Sequence, residues 1–291
     1  LYQGLAGVAW AQWDMGLRGE ARATFEKSFD HPLLTASADI YNGLAGWGLA
    51  NLRFWLNTGE GRFLENARRA GDSLLRTAIH GDGGLHWKGK GDVVHYGLAH
   101  GAAGIGLFLL YLDRALGGGF QEAAESALAY DLAQATELEN GSISWRRTEL
   151  TGTIVYPYWK YGAAGIGIVA LRFLHALKDE RYRAVVEKIY LQCNRKYALF
   201  PGRNDGLAGI GEFMLDAHLE TGDRKFLSGA YKIAAGLKIF CISEKEGIAF
   251  PGNGLARISC DLATGGSGII LFVDRLLRPR PADFLLDEVL R

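Results

Sequence analysis

The sequence predicts an all-α fold, an α/α toroid of six to seven helical hairpins whose inner helices open on G-x-x-G. Three observations predict it. A G-x-x-G core recurs six times, a proline-free apolar segment follows each core, and amphipathic charge-bearing segments lie between them. Glycine supplies 40 of the 291 residues, against only 6 prolines, which is about twice the usual glycine share of roughly 7%. Such a chain uses glycine for close packing rather than for flexible linkers.

In chain order the cores are Gly4-Leu5-Ala6-Gly7, Gly43-Leu44-Ala45-Gly46, Gly101-Ala102-Ala103-Gly104, Gly162-Ala163-Ala164-Gly165, Gly206-Leu207-Ala208-Gly209 and Gly265-Gly266-Ser267-Gly268. They recur roughly every forty to sixty residues, the length of one supersecondary unit, several of which must stack to bury a continuous core. Glycines at i and i+3 of a helix start leave one face bare, so two backbones can approach closely. The segments 106–116, 167–177 and 211–219 are apolar over much of their circumference, which marks buried inner helices. Between the cores, segments of about 61–79, 121–138, 181–197 and 224–239 alternate apolar stripes with Arg, Lys and Glu, as surface helices require. A closed ring of such hairpins satisfies both patterns, whereas an open solenoid would leave a long apolar wall exposed. The connections 83–96, 139–158, 200–205 and 247–263 exceed ordinary helix–helix turns of about 2–8 residues. They carry aromatics, His, Asp and Arg into the inner-helix N-termini, so a site is expected where they gather at one mouth of the ring. The amphipathic stretch 283–291 reads as a terminal cap.

Composition excludes several classes. Lys plus Arg and Asp plus Glu are 32 each, so no net field favours nucleic acid or an anionic membrane. No apolar run approaches the roughly 18 residues that span a bilayer. Three cysteines, Cys193, Cys241 and Cys260, show no C-x-x-C spacing, which suits a reducing, cytoplasmic setting. The chain starts on Leu1 with its first motif already under way and reads as a piece of a longer protein.

The repeated G-x-x-G helices, above all Gly97-Leu98-Ala99-His100-Gly101-Ala102-Ala103-Gly104, resemble the lanthionine synthetase C-like cyclases over essentially the whole chain. The resemblance implies an α/α toroid that adds a peptide cysteine thiol to dehydroalanine or dehydrobutyrine. Members of that family carry zinc ligands in a Trp-Cys-Tyr-Gly and a Cys-His-Gly segment. Here the corresponding segments read Trp159-Lys160-Tyr161-Gly162 and Asn204-Asp205-Gly206. Lys160, Asn204 and Asp205 thus stand at vacated zinc-site positions, and Lys and Asn are poor zinc ligands. No metal and no cofactor is therefore expected in this domain. That loss, with Ala249-Phe250-Pro251-Gly252 and residues 257–265, is similar to the C-terminal cyclase domain of class III lanthipeptide synthetases. The resemblance then implies residues 1–291 as one cyclase domain, with upstream lyase and Ser/Thr kinase-like domains. ATP or GTP with Mg would belong to the kinase, and the partner would be a dehydrated ribosomal precursor peptide.

His100 matches the family's acid/base histidine, suited to proton transfer near neutral pH; a helix-N-terminal histidine satisfied by backbone is the structural alternative. Asp39 lies four residues before Gly43, at the offset of the family's aspartate, to orient His100 or take a proton; the alternative is a helix cap. Lys160 and Asp205 could link adjacent repeats by a charge-assisted contact, or the lysine could favour a substrate thiolate. Tyr156 stands where the family has Arg; with Trp159, Arg257 and Asp261 it is a substrate-binding candidate, the alternatives being ordinary loop packing for Trp159 and loop ordering for Arg257 and Asp261. His95 and Tyr96 are further mouth residues. The competing function is a degenerate toroid that binds precursor peptide or scaffolds the upstream domains. A glycoside hydrolase would need two carboxylates across a cleft, which Asp39, Asp205 and Asp261 could only formally supply.

Overall fold

The computed structural model describes residues 1–282 and 285–291. Two compact units make up the chain, one formed by 1–134, 148–150 and the described residues from 285 on, the other by 135–147 and 151–282. In the first unit α1 (Leu5–Asp14), α3 (Leu44–Thr58) and α5 (Ala102–Leu116) lie side by side as inner helices. Each is backed by its own outer helix, α2 (Arg18–Glu26), α4 (Gly61–Thr77) and α6 (Gln121–Ala133). The second unit repeats the scheme with inner helices α7 (Ala163–Leu177), α9 (Leu207–Thr221) and α11 (Gly266–Leu277), and outer helices α8 (Glu180–Cys193) and α10 (Arg224–Leu237). All six G-x-x-G cores open inner helices. Four of the five outer helices fall on the amphipathic segments; α2, with only Ala21 and Phe25 buried, is too short to declare itself by pattern.

Burial follows composition. Twelve of fifteen residues are buried in α5 and again in α7, because their sequences are apolar all round. In α4 the buried residues are Phe63, Ala67, Ala70, Gly71 and Leu74, one face of a 3.6-residue period. At the two ends of the series the inner helices are less covered: α1 exposes Leu5 and Val8, and α11 exposes Ile270, Leu271 and Leu277.

The outer helices stop a few residues before their amphipathic pattern does. The residues after them pair as short antiparallel hairpins instead: β1–β2 (Ile79–Gly81, Gly84–His86), β3–β4 (Thr136–Glu137, Ile143–Ser144) and β5–β6 (Ile242–Glu244, Gly247–Ala249). The first turns through Asp82-Gly83, with Gly83 at φ 98°, a left-handed backbone that glycine adopts readily. Strands of two or three residues are too short for an alternating pattern to show in sequence. Of the expected cap over 283–291, residues 283 and 284 lie outside the described residues. Its remainder includes a 3₁₀ turn, Asp287–Leu290, held to the first unit by Tyr111 Oη donating to Asp287 at 2.6 Å and by Arg53 to Glu288 at 3.4 Å.

The glycines fix how repeats meet. The last glycine of a core sits over the carbonyl of the residue six before it, so a Cβ on Gly7, Gly46, Gly104, Gly209 or Gly268 would overlap the carbonyl of Leu1, Ile40, Leu98, Arg203 or Leu262. That closeness turns the approach segment back along its own helix. Two residues before four of the cores, the backbone N–H then reaches the equivalent carbonyl of the next repeat in the same unit. In the first unit Tyr2 donates to Tyr41 (3.0 Å) and Tyr41 to Ala99 (3.1 Å); in the second Lys160 donates to Asn204 and Asn204 to Ala263 (both 2.8 Å). One turn deeper, a further glycine receives an aromatic ring from the neighbouring inner helix: Phe108 on Gly48, Phe213 on Gly167 and Phe272 on Gly211.

Lower still, position ten after each core's first glycine is polar. Asp14 pairs with Arg53 at 3.0 Å in the first unit. In the second, Asp216 bridges Arg172 and Arg275, at 2.7 Å to the latter, and Glu212 also pairs with Arg275. These four are at most 6% exposed, and each charge has a counter-charge, as burial demands.

Gly104→Ala should lower unfolding free energy by about 3 kcal/mol or more, since the new methyl meets backbone that cannot yield. Gly19→Ala, in α2 with open space around it, should be neutral or stabilise by up to about 1 kcal/mol. Urea denaturation of the two variants checks both signs.

Candidate active site

Each unit carries one half of the expected residues. In the first, Asp39 and His100 meet: His100 Nδ1 is 2.8 Å from Asp39 Oδ2. Their side chains are 9% and 13% exposed, so the pair is sheltered yet reachable at its edge. Asp39 precedes α3, whose N-cap is Gly43, and its carboxylate orders the turn before that helix. It accepts the Asn42 backbone N–H at 2.6 Å and the Ser37 hydroxyl at 3.0 Å. Burial alone would raise the Asp39 pKa, but the His100 hydrogen bond and charge, with the Asn42 and Ser37 donors, outweigh it and hold it below the usual aspartate range. Asp39 is therefore ionised at neutral pH. An ionised partner makes Nδ1 the protonated nitrogen and leaves Nε2 as the basic one. Tyr41 and His95 stand by the imidazole, with ring centroids 5.1 and 5.7 Å away. The structural alternative for Asp39 is thus partly realised: it orders the turn before α3, and it binds His100 as well.

The cradle around Asp39 has a twin that sequence reading did not separate from catalysis. Ser37-Ala38-Asp39-Ile40-Tyr41-Asn42-Gly43 and Ser259-Cys260-Asp261-Leu262-Ala263-Thr264-Gly265 share Ser, Asp and Gly at the same spacing. Asp261 accepts the Ser259 hydroxyl, and the Thr264 backbone N–H (2.7 Å) and hydroxyl (2.8 Å). Burial again opposes ionisation, and these donors overcome it to bring the carboxyl down to about 2. Of the two roles open to Asp261, substrate binding and loop ordering, the structure shows the second: both its oxygens tie its own loop. In the third repeat the equivalent position is Gly97, and the carboxylate comes from α6: Asp131 Oδ2 accepts the N–H of Gly97 and of Ala103, each at 3.0 Å. Wholly buried, Asp131 is raised to about 7 in spite of those hydrogen bonds.

The second unit holds a pocket of about 320 Å³. Its walls include Tyr156, Tyr158, Tyr161 and Phe200, and its charged lining is Arg147, Lys160 and Asp205. The Arg147 guanidinium lies 4.5 Å and the Lys160 ammonium 5.0 Å from the Tyr161 ring centroid. Of the three vacated zinc-site positions, Lys160 and Asp205 line this pocket. Asn204 does not line it and is 2% exposed; it joins Lys160 through the backbone bond described above. The adjacent repeats are thus linked here by main chain.

Two further expectations are corrected. Trp159, expected on a binding wall, is 1% exposed and packs beneath the Arg203 guanidinium at 4.6 Å; it is a core residue. Arg257 is exposed, lies outside the pocket lining, and contributes its carbonyl to the Gly252 N–H at 2.8 Å. Tyr156 does line the pocket. Arg147 was missed because it sits in a loop with no motif to mark it. The residues at the vacated positions do not fit zinc: an ammonium repels a cation, an amide binds it weakly, and one carboxylate cannot replace two thiolates and an imidazole. Among the described residues no group of three His, Cys, Asp or Glu is placed to hold a metal.

Inner helices opened by G-x-x-G and backed by outer helices define a helical-hairpin protein, and this one carries a sheltered aspartate–histidine pair. Nisin cyclase shares the fold, with a TM-score of 0.68 and 19% identity, over 100% of this chain and 79% of that one. A Listeria innocua protein shares it at a TM-score of 0.59 and 15% identity, over 94% and 82%. The fold class is the α/α toroid. Residues 1–289 match the family described as Lanthionine synthetase C-like protein, and the chain belongs to that family. It is also 28% identical over 286 residues to the "Probable SapB synthase" of Streptomyces coelicolor, covering 97% of this chain and 30% of that one; it thus spans less than a third of that relative.

Because the Asp39 pKa is lower folded than unfolded, its contribution to stability is full above the ordinary aspartate value of about 3.9. It is lost as pH falls through the lowered value. The wild-type urea midpoint should therefore drop more steeply below about pH 4 than that of Asp39→Asn. At pH 7 the variant should be about 1–3 kcal/mol less stable, the cost of disturbing a buried hydrogen-bonded carboxylate.

Proposed function

We propose that this chain is the cyclase domain of a class III-type lanthipeptide synthetase, which forms lanthionine or labionin without zinc. It would add peptide cysteine thiols to dehydroalanine or dehydrobutyrine. The observation that carries the reading is the Asp39–His100 contact in a chain of this family. Asp39 holds Nδ1–H, so His100 Nε2 accepts the thiol proton. Sulfur bonds to the β-carbon, the alkene's π pair moves into an enolate, and His100 returns a proton to the α-carbon. Holding thiol and alkene together supplies the remaining acceleration. The precursor peptide, the upstream lyase and kinase-like domains and their ATP or GTP with Mg belong to the same proposal. The likeness to a probable synthase more than three times as long supports it.

One observation favours the second reading, a toroid that binds or scaffolds without chemistry. The Asp261 cradle keeps its aspartate for loop order alone, so Asp39 by itself is no sign of catalysis. The two readings part on His100. With the full-length protein and a pre-dehydrated peptide, thiol alkylation and mass spectrometry count the cysteines still free over time. His100→Ala should slow ring closure by about 10²- to 10⁴-fold, and Asp39→Asn should slow it less. If both variants keep the wild-type rate while deletion of the domain impairs processing, the scaffold reading holds.

Chelator dialysis is the metal test. Ring closure should be unchanged after treatment and unaffected by added zinc; a loss restored by zinc would sink the zinc-free mechanism.

A further inference from the structure

The pocket of the second unit has a charge pattern that the acid–base pair does not explain. Arg147 and Lys160 converge on one aromatic ring, Tyr161, although like charges over a shared ring repel. The lining supplies one carboxylate, Asp205, against these two cations. The lining therefore carries one net positive charge, which a single monoanion would neutralise. The rest of the lining mixes aromatic rings with Leu199, Asn253, Thr264 and glycines. Tyr156, Tyr158 and Tyr161 contribute phenols, and burial keeps the Tyr158 hydroxyl protonated by raising its pKa. Of the nearby arginines, Arg203 is buried over Trp159, and Arg195 is turned to the Gln192 carbonyl at 2.8 Å. The fitting ligand is a monoanion with a large polarisable atom, tolerant of aromatic walls and steadied by cations at two sides.

We propose that this pocket holds the thiolate of the substrate peptide's attacking cysteine, with Arg147 and Lys160 as its counter-charges. The proposal rests on the cyclase reading above and names the groups that ready its nucleophile. In the step concerned the S–H bond breaks, sulfur keeps the electron pair, and the proton passes to the base, His100 Nε2 in the cyclase reading above. A nearby cation favours the thiolate over the thiol, whose free pKa is about 8.5. Cationic side chains here take over the charge-stabilising part that the residues at the vacated positions are unfit to give through a metal.

The test separates this proposal from the cyclase reading by using a peptide that cannot cyclise. A synthetic peptide with one cysteine, labelled with carbon-13 at Cβ, and with no dehydrated or acidic residue is titrated by NMR against excess full-length protein. With wild type the thiol midpoint should fall by at least about one pH unit from about 8.5. With Arg147→Gln plus Lys160→Met it should return to about 8.5. Arg147→Lys plus Lys160→Arg, which disturbs shape but keeps charge, should retain the low midpoint and so controls for folding. A wild-type midpoint near 8.5, or a low midpoint surviving charge removal, overturns the proposal. A second peptide bearing a dehydroalanine then reports on the cyclase reading alone. A low midpoint without ring closure removes that reading and leaves the pocket as a thiolate site; ring closure with a midpoint near 8.5 does the reverse.

Discussion

Much in this architecture depends on one close approach: in five of the six cores the last glycine is pressed against the carbonyl six residues earlier. No side chain fits between them. The contact turns the incoming segment so that its backbone N–H faces the next repeat, and the bonds from Tyr2 to Tyr41 to Ala99, and from Lys160 to Asn204 to Ala263, follow. Because these are main-chain bonds, they hold whatever side chain occupies the position. That independence is why Tyr, Ala, Lys and Asn can all stand there.

Below the rungs, packing passes from backbone to side chain. Phe108, Phe213 and Phe272 fill the gaps left by glycine on the neighbouring helix, and deeper still the second unit closes on Arg172, Asp216, Glu212 and Arg275. A buried ionic cluster is weak evidence for net stability, because desolvation offsets much of the attraction. Its contribution is to register: each arginine has a carboxylate only when α7, α9 and α11 stand at the right height.

Sequence alone made the repeat legible, because glycine spacing and apolar periodicity are direct records of backbone contact. It also paired Asp39 with His100 through a family resemblance, sixty-one residues apart in the chain. It did not disclose the β-hairpins, whose strands are too short for periodicity, or Arg147, whose importance arises from a neighbouring ring rather than a motif. For Trp159 it leaves a binding wall and ordinary packing both open, because the burial of a loop aromatic is not written in the sequence, and its 1% exposure selects packing. For Asp261 it leaves substrate binding and loop ordering both open, and the hydrogen bonds to Thr264 show the second. The Ser-x-Asp-x-x-x-Gly repetition in the chain already points that way.

The recurrence of the aspartate cradle has a diagnostic consequence. Three repeats need a carboxylate at the mouth of an inner helix, and they draw it from Asp39, Asp261 or, by a longer route, Asp131. Selection for folding would retain such an acid in a chain that had lost all chemistry. Of the three cradles, that of Asp39 sets its carboxylate against an imidazole, His100. Under the cyclase reading proposed above, the aspartate reports that the loop is built, and the histidine beside it is the residue whose loss would mark a retired copy.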